Sequence, residues 1–173
     1  MTGRSDDFAD QSWTFLLRIY EQPGVAEACL RLQEEAGADI VLLLASVFAA
    51  RRGITLSPSD HQAMAAQCRP WREQVVQPLR ALRISLKDGP TPAPSKTTAA
   101  LREQIKASEL HAERIESDML ADWLQQKPAG PATPDKMQVR LRLGIAAHLA
   151  TENVSAEAFS ASIDAIAAAA IAL

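Results

Sequence analysis

Between Asp39 and Arg51 the chain reads IVLLLASVFAA, and Ile40 to Ala50 carry no charge on any face. A helix built from such a run has no side to give to water, yet it falls well short of the ~20 apolar residues a bilayer span requires. It therefore predicts a rod enclosed by other helices, and it sets the task for the rest of the chain, which must supply amphipathic helices to cover it. Asp39 stands where its carboxylate can cap or charge-stabilise the first turn.

The flanking segments carry that pattern. Trp13, Leu16, Leu17 and Tyr20 recur at helical spacing, with Asp10 or Ser12 as the expected cap. Pro23-Gly24 breaks the pattern. Val25, Ala28, Cys29, Leu32 and Ala36 then line a second helix opposite Glu27, Arg31, Glu34 and Glu35, with Gly37 as its C-terminal stop.

Beyond Gly53, Ser57 is the expected cap and Pro58 the first turn of a fourth helix, which Pro70 interrupts and Pro78 kinks as it continues from Trp71 to about Lys87. Here Val75, Leu79, Leu82 and Leu86 predict the buried side. Arg72, Arg80, Arg83 and Lys87 fall in a narrow arc elsewhere on the same helix and predict an outward cationic stripe. Asp88 to Ser95, with three prolines, reads as a surface linker. A long charged helix follows from Thr97 to Lys127, packing along Leu101, Ile105, Ala112, Ile115, Met119 and Trp123.

Pro128 to Pro134 is a second proline-rich break, expected to separate a main body (residues 1–127) from a C-terminal helical pair (135–173). Met137 to Ile145 alternates apolar and polar residues as a strand would. With no partner strand in the chain it is read as helix, with Met137, Leu141, Ile145, His148 and Leu149 on one side. Ser155 is the expected cap of a last, charge-poor helix bearing Phe159, Ile163 and Ile166. The expectation is an all-α, single-domain bundle of six or seven helices with a kinked fourth helix and a C-terminal appendage.

At 173 residues the chain is long enough to bury a core without disulfides or metals. Its net charge of −3 argues against wholesale coating of nucleic acid or anionic membrane. The charge is uneven, however: residues 60–87 carry net +3 and residues 1–39 net −5. Cys29 and Cys68 are expected to be reduced and buried. The first twelve residues have neither the basic nor the apolar region of a secretory signal, so the expected location is the cytoplasm.

Four motifs together resemble a small bacterial family of uncharacterised, all-helical proteins. They are Trp13, Phe15, Leu17 and Tyr20; Pro23 to Val25 with Cys29, Leu30, Leu32 and Gln33; Gly37 to Asp39 with Leu43 and Leu44; and Trp71, Arg72, Val75 and Pro78 to Arg83. The resemblance runs from Ser12 to Trp123. It implies a helical fold and brings no activity, substrate or cofactor with it.

The residues themselves supply no catalytic motif: there is no Gly-rich phosphate loop, nucleophile elbow or Cys-His arrangement. His61, His111 and His148 lack ligand spacing, so no metal or cofactor is expected. Glu109, Glu113 and Glu116 want a second set of ligands for a di-metal site and read as a solvated face. A non-enzymatic interaction protein is therefore the first expectation. Its acidic partner would dock on Trp71, Arg72, Arg80, Arg83 and Lys87, or its apolar partner in a groove beside the last helix. The charge-poor last helix also suggests self-association. An alternative is a small-molecule-binding protein or enzyme with a pocket between helices three and four that uses Tyr20 and Trp71. Nucleic-acid binding through the same arginines ranks third, against the acidic total.

Overall fold

A computed structural model describes residues 3–131, 134–151 and 153–173. Within them lie eight α-helices: α1 (Gly3–Tyr20), α2 (Val25–Ala36), α3 (Ile40–Arg51), α4 (Pro58–Trp71), α5 (Gln77–Asp88), α6 (Lys96–Leu124), α7 (Pro134–Thr151) and α8 (Ser160–Ala172). A π turn over Arg72–Val76 joins α4 to α5 without a break, so the described chain forms seven helical rods. The fold is all-α; the one β-type pairing among the described residues is the isolated bridge between Ile54 and Ala129.

Two compact units share these rods. Residues 1–65 and 117–173 form one, residues 66–116 the other, and the division passes through α4 and α6. The break expected at 128–134 includes residues 132 and 133, which lie outside the described set. On its far side α7 and α8 belong to the same unit as α1 to α3.

In this first unit α3 is the enclosed rod. Every residue from Val41 to Ala50 is buried, and α1 and α7 pack against it. Asp39 caps it by accepting from the Leu42 amide at 3.2 Å. Gly37 ends α2 in the left-handed region at φ 65°, where a side chain is disfavoured. The helix α1 begins at Gly3, well before the expected caps, so Asp10 and Ser12 lie inside it and Ser12 is fully buried. Its inner stripe is Ala9, Ser12, Leu16 and Ile19, whereas Leu17 and Tyr20 are 42% and 38% exposed. The rotation brings Phe8 and Phe15 onto Phe48 of α3, with ring centroids 5.3 Å and 5.5 Å apart.

The segment whose alternation suggested a strand is helical in α7. Leu141, Ile145, His148 and Leu149 are fully buried, while Val139 and Leu143 face solvent. Ser155 makes no capping bond, because a 3₁₀ turn over Ala156–Phe159 intervenes before α8. The apolar side of α8, with Ile163, Ile166, Ala167 and Ala170, packs on α2 and α7 of the same chain. That docking removes the open face from which self-association through this helix was expected. The Arg51 guanidinium donates to the Ala170 carbonyl and closes the end of α8.

Two turns of chain complete the unit. Ser57 and Asp60 cap α4 reciprocally: the Asp60 amide donates to Ser57 Oγ at 3.2 Å and the Ser57 amide to the Asp60 carboxylate at 2.8 Å. Gly53, at φ 75°, lies against Gly130, whose amide donates to the Gly53 carbonyl at 2.9 Å.

The second unit is a helical hairpin. Neither proline ends the rod: in α-geometry the Pro78 ring would press on the carbonyl four residues earlier, and the π turn widens the helix at that point. Its signature is the Gln77 amide donating five residues back to the Arg72 carbonyl. A reciprocal Ser95–Thr98 cap then starts α6, the Thr98 amide donating to Ser95 Oγ at 3.2 Å and the Ser95 amide to Thr98 Oγ1 at 2.8 Å.

Candidate functional site

The feature most at odds with the sequence expectation lies in the hairpin. Arg80 and Arg83 are not outward-facing; they point across to α6. Arg80 Nε donates to Glu109 Oε1 at 2.8 Å and Arg80 Nη2 to Glu113 Oε1 at 2.6 Å. Arg83 Nε donates to Glu109 Oε2, and Arg83 Nη2 to Glu109 Oε1 at 3.2 Å. Arg102 adds a bond from its own Nε to the Arg83 carbonyl. The reason is on α6, where Glu109 and Glu113 stand one turn apart and meet two guanidinium groups one turn apart on α5.

The electrostatics follow from that geometry. Burial alone would raise Glu109, but the bonds from Arg83 and Arg80 outweigh it and hold the carboxyl below its ordinary value. For Arg80, burial pushes the guanidinium down and the two glutamates more than reverse it. For Arg83 the Glu109 bond dominates and raises it. These carboxylates are engaged by arginines rather than set out for a metal, and among the described residues no group of three His, Cys, Asp or Glu is placed to hold one.

Trp71 belongs to the same interface, its indole N–H donating to the Ala112 carbonyl at 2.9 Å. Arg72 is half-buried in the π turn, while Lys87 is exposed on the last turn of α5. Tyr20 lies on α1 in the other unit, so the expected Tyr20–Trp71 pocket has its two residues in separate units.

With the arginines turned inward, the leucines move to the flank. No residue of α5 is buried, and Leu82 is 50% exposed in the complete chain. On α6, Leu101 and Ile115 are 46% and 38% exposed. The arginine contacts show that α5 and α6 run antiparallel, since Arg80 reaches Glu113 and Arg83 reaches back to Glu109 and Arg102. In an antiparallel pair of right-handed helices, the residues one step before the contact positions fall on the same side of both. Leu79 and Leu82 precede Arg80 and Arg83; Leu101 precedes Arg102, and Ser108 precedes Glu109. One side of the hairpin is thus a leucine-rich strip, whereas the spacing in the sequence predicts these leucines on the buried side. On the opposite side, Ile84 and Leu110 are also exposed, and Leu110 shares its side of α6 with the exposed Glu103 and Lys106.

The first unit has a groove of about 310 Å³ between α1, Arg51 and Leu173, lined by Asp10, Thr14, Phe15 and Arg18. Arg51 is committed there to the Ala170 carbonyl and lies over the Phe15 ring at 5.7 Å. The spacing of apolar residues gave no sign of this groove, because its lining comes from three distant parts of the chain.

A family model described as a protein of unknown function (DUF2390) matches residues 11–120. No curated protein and no solved structure matches the chain. The matched region spans α2 to α5 in full and most of α1 and α6, including both arginines and both glutamates of the hairpin.

Proposed function

Starting from the fact that the chain belongs to the DUF2390 family, we propose that it is a non-enzymatic interaction protein whose contact face is the leucine-rich side of the α5–α6 hairpin. The observation that carries this reading is the exposure of Leu82, Leu101 and Ile115 on a unit whose Arg80 and Arg83 are taken up by internal ion pairs. Exposed apolar surface of this kind marks contact sites, and helices commonly dock in such grooves. The partner is accordingly apolar rather than acidic, because Arg80 and Arg83 have no charge left to offer. The same pairing weighs against nucleic acid. A cytoplasmic setting belongs to the proposal: Cys29 and Cys68 are both buried and unbridged, as reducing surroundings favour. Among the described residues no helix is long and apolar enough to cross a membrane.

The test is capture of bound protein on the tagged full chain and on its Leu82→Glu and Arg18→Glu variants. The expected result is a specific associated protein, a second copy included, recovered with the parent and with Arg18→Glu but lost with Leu82→Glu. Equal recovery with Leu82→Glu overturns the reading.

A further inference from the structure

We propose that the occupant of the leucine-rich side of the α5–α6 hairpin is a second copy of this chain, so that two hairpins complete a four-helix arrangement. This rests on the reading of that side as the contact face.

The hairpin by itself has little core. Among residues 66–116 the buried apolar side chains are Cys68, Val76, Ile105 and Ala112, and α5 contributes none. Two helices alone cannot enclose an apolar stripe that lies beside their line of contact; two hairpins placed face to face can.

The leucine-rich side is also free of charge. Between Leu79 and Leu86 on α5, and between Leu101 and Ile115 on α6, the strip one step before the contact positions contains no Asp, Glu, Lys or Arg. The neighbouring charges are closed on one another: Arg80 with Glu109 and Glu113, and Arg83 with Glu109. An acidic or basic partner gains nothing from such a face. A second copy brings an identical uncharged face, and a two-fold pairing sets leucine on leucine without placing like charges together. The opposite side is not free of charge, since Glu103 and Lys106 share it with Leu110 on α6.

The experiment is sedimentation of the purified full chain over a wide concentration series, beside Leu82→Glu, Leu101→Glu and the opposite-side control Ile84→Glu. All three positions are about half exposed, and circular dichroism checks that each variant is folded. The expected result is the mass of two chains for the parent and for Ile84→Glu, and of one chain for Leu82→Glu and Leu101→Glu. A parent that stays at one chain throughout overturns the proposal, as does a pair that survives both leucine substitutions. If the parent is single but still captures another protein in a Leu82-dependent way, the second copy is excluded and the contact face stands. If neither association depends on Leu82, both fall.

Discussion

His61 is fully buried on α4, and among the described residues neither ring nitrogen has a hydrogen-bond partner. Burial lowers its pKa below 6.5, and the neighbouring Asp60 carboxylate opposes that only in part. The folded protein therefore keeps His61 neutral at a pH where the unfolded chain takes up a proton. Protons bound preferentially by the unfolded state make stability fall as pH drops, beginning near 6.5 and continuing to the lowered folded value. Above that window the group has no effect. Thermal melts should decline from neutral toward pH 5, and His61→Leu should flatten the decline; an unchanged slope would remove His61 as its source. The Asp60 carboxyl works in a separate window. Its pKa falls to about 2, first through the bond from Lys127 at 2.7 Å and then through Ser57. Its contribution is present above the ordinary carboxylate value of 3.8 and is lost only as pH falls below that toward 2. Gly53 is the other residue that admits little change. A methyl group there would collide with the Gly130 carbonyl oxygen, and the residue already sits at φ 75°. Gly53→Ala should cost about 1–3 kcal/mol, measured by urea unfolding.

At the scale of the element, the Arg–Glu network decides how α5 is turned. Glu109 is 5% exposed and serves two guanidinium groups, so Glu109→Gln leaves both arginines partly buried without their shared anion. Full burial would put such a loss at 3–5 kcal/mol, but the arginine side chains retain some solvent, so about 1–3 kcal/mol is expected. Hydrogen exchange along α5 should accelerate in Glu109→Gln and stay as it is in the control Glu103→Gln, whose side chain is 63% exposed and pairs only at 3.6 Å with Arg102 and 4.0 Å with Lys106 on its own helix. Equal effects would show that the network contributes nothing local. The same network explains what the sequence displayed and what it concealed. The enclosed α3 was legible because eleven uncharged residues leave no wet side, and the Asp39, Gly37 and Ser57 boundaries because capping is local chemistry. The turn of α5 about its axis was not. Its apolar and cationic stripes are comparable in width, and the choice between them is made by Glu109 and Glu113, more than twenty residues away on another helix. In α1 two stripes at equivalent spacing competed in the same way, and Phe48 on α3 settled the matter by drawing in Phe8 and Phe15.

Across the whole molecule, the C-terminal helices serve as core rather than appendage, which changes what their removal should do. α8 packs on α2, whose buried side carries Cys29 and Leu32, 1% and 0% exposed. Phe159, just before α8, is crossed by the Arg31 guanidinium of α2 at 5.4 Å, a second tie between the same two segments. Burial raises the Cys29 thiol to about 12, so at neutral pH it is an un-ionised thiol with no access to reagents. Deleting residues 152–173 would strip Ile163, Ile166 and Ala167 from α2 and α7 and open several large apolar side chains to water. Each fully buried aliphatic side chain is worth about 1.5–3 kcal/mol, so the shortened chain should melt far below the parent. Cys29 should then react with a thiol reagent under conditions in which the parent is inert, as read from the modified peptide by mass spectrometry. Reactivity is the more telling measurement, because it reports the cover over one side of α2: an unreactive Cys29 in the shortened chain would mean that its cover comes from something other than α8. The association state separates this role from the one assigned to the hairpin, since any loss of pairing here should accompany the loss of fold, whereas Leu82→Glu should abolish pairing and leave the melting temperature near that of the parent's single chain.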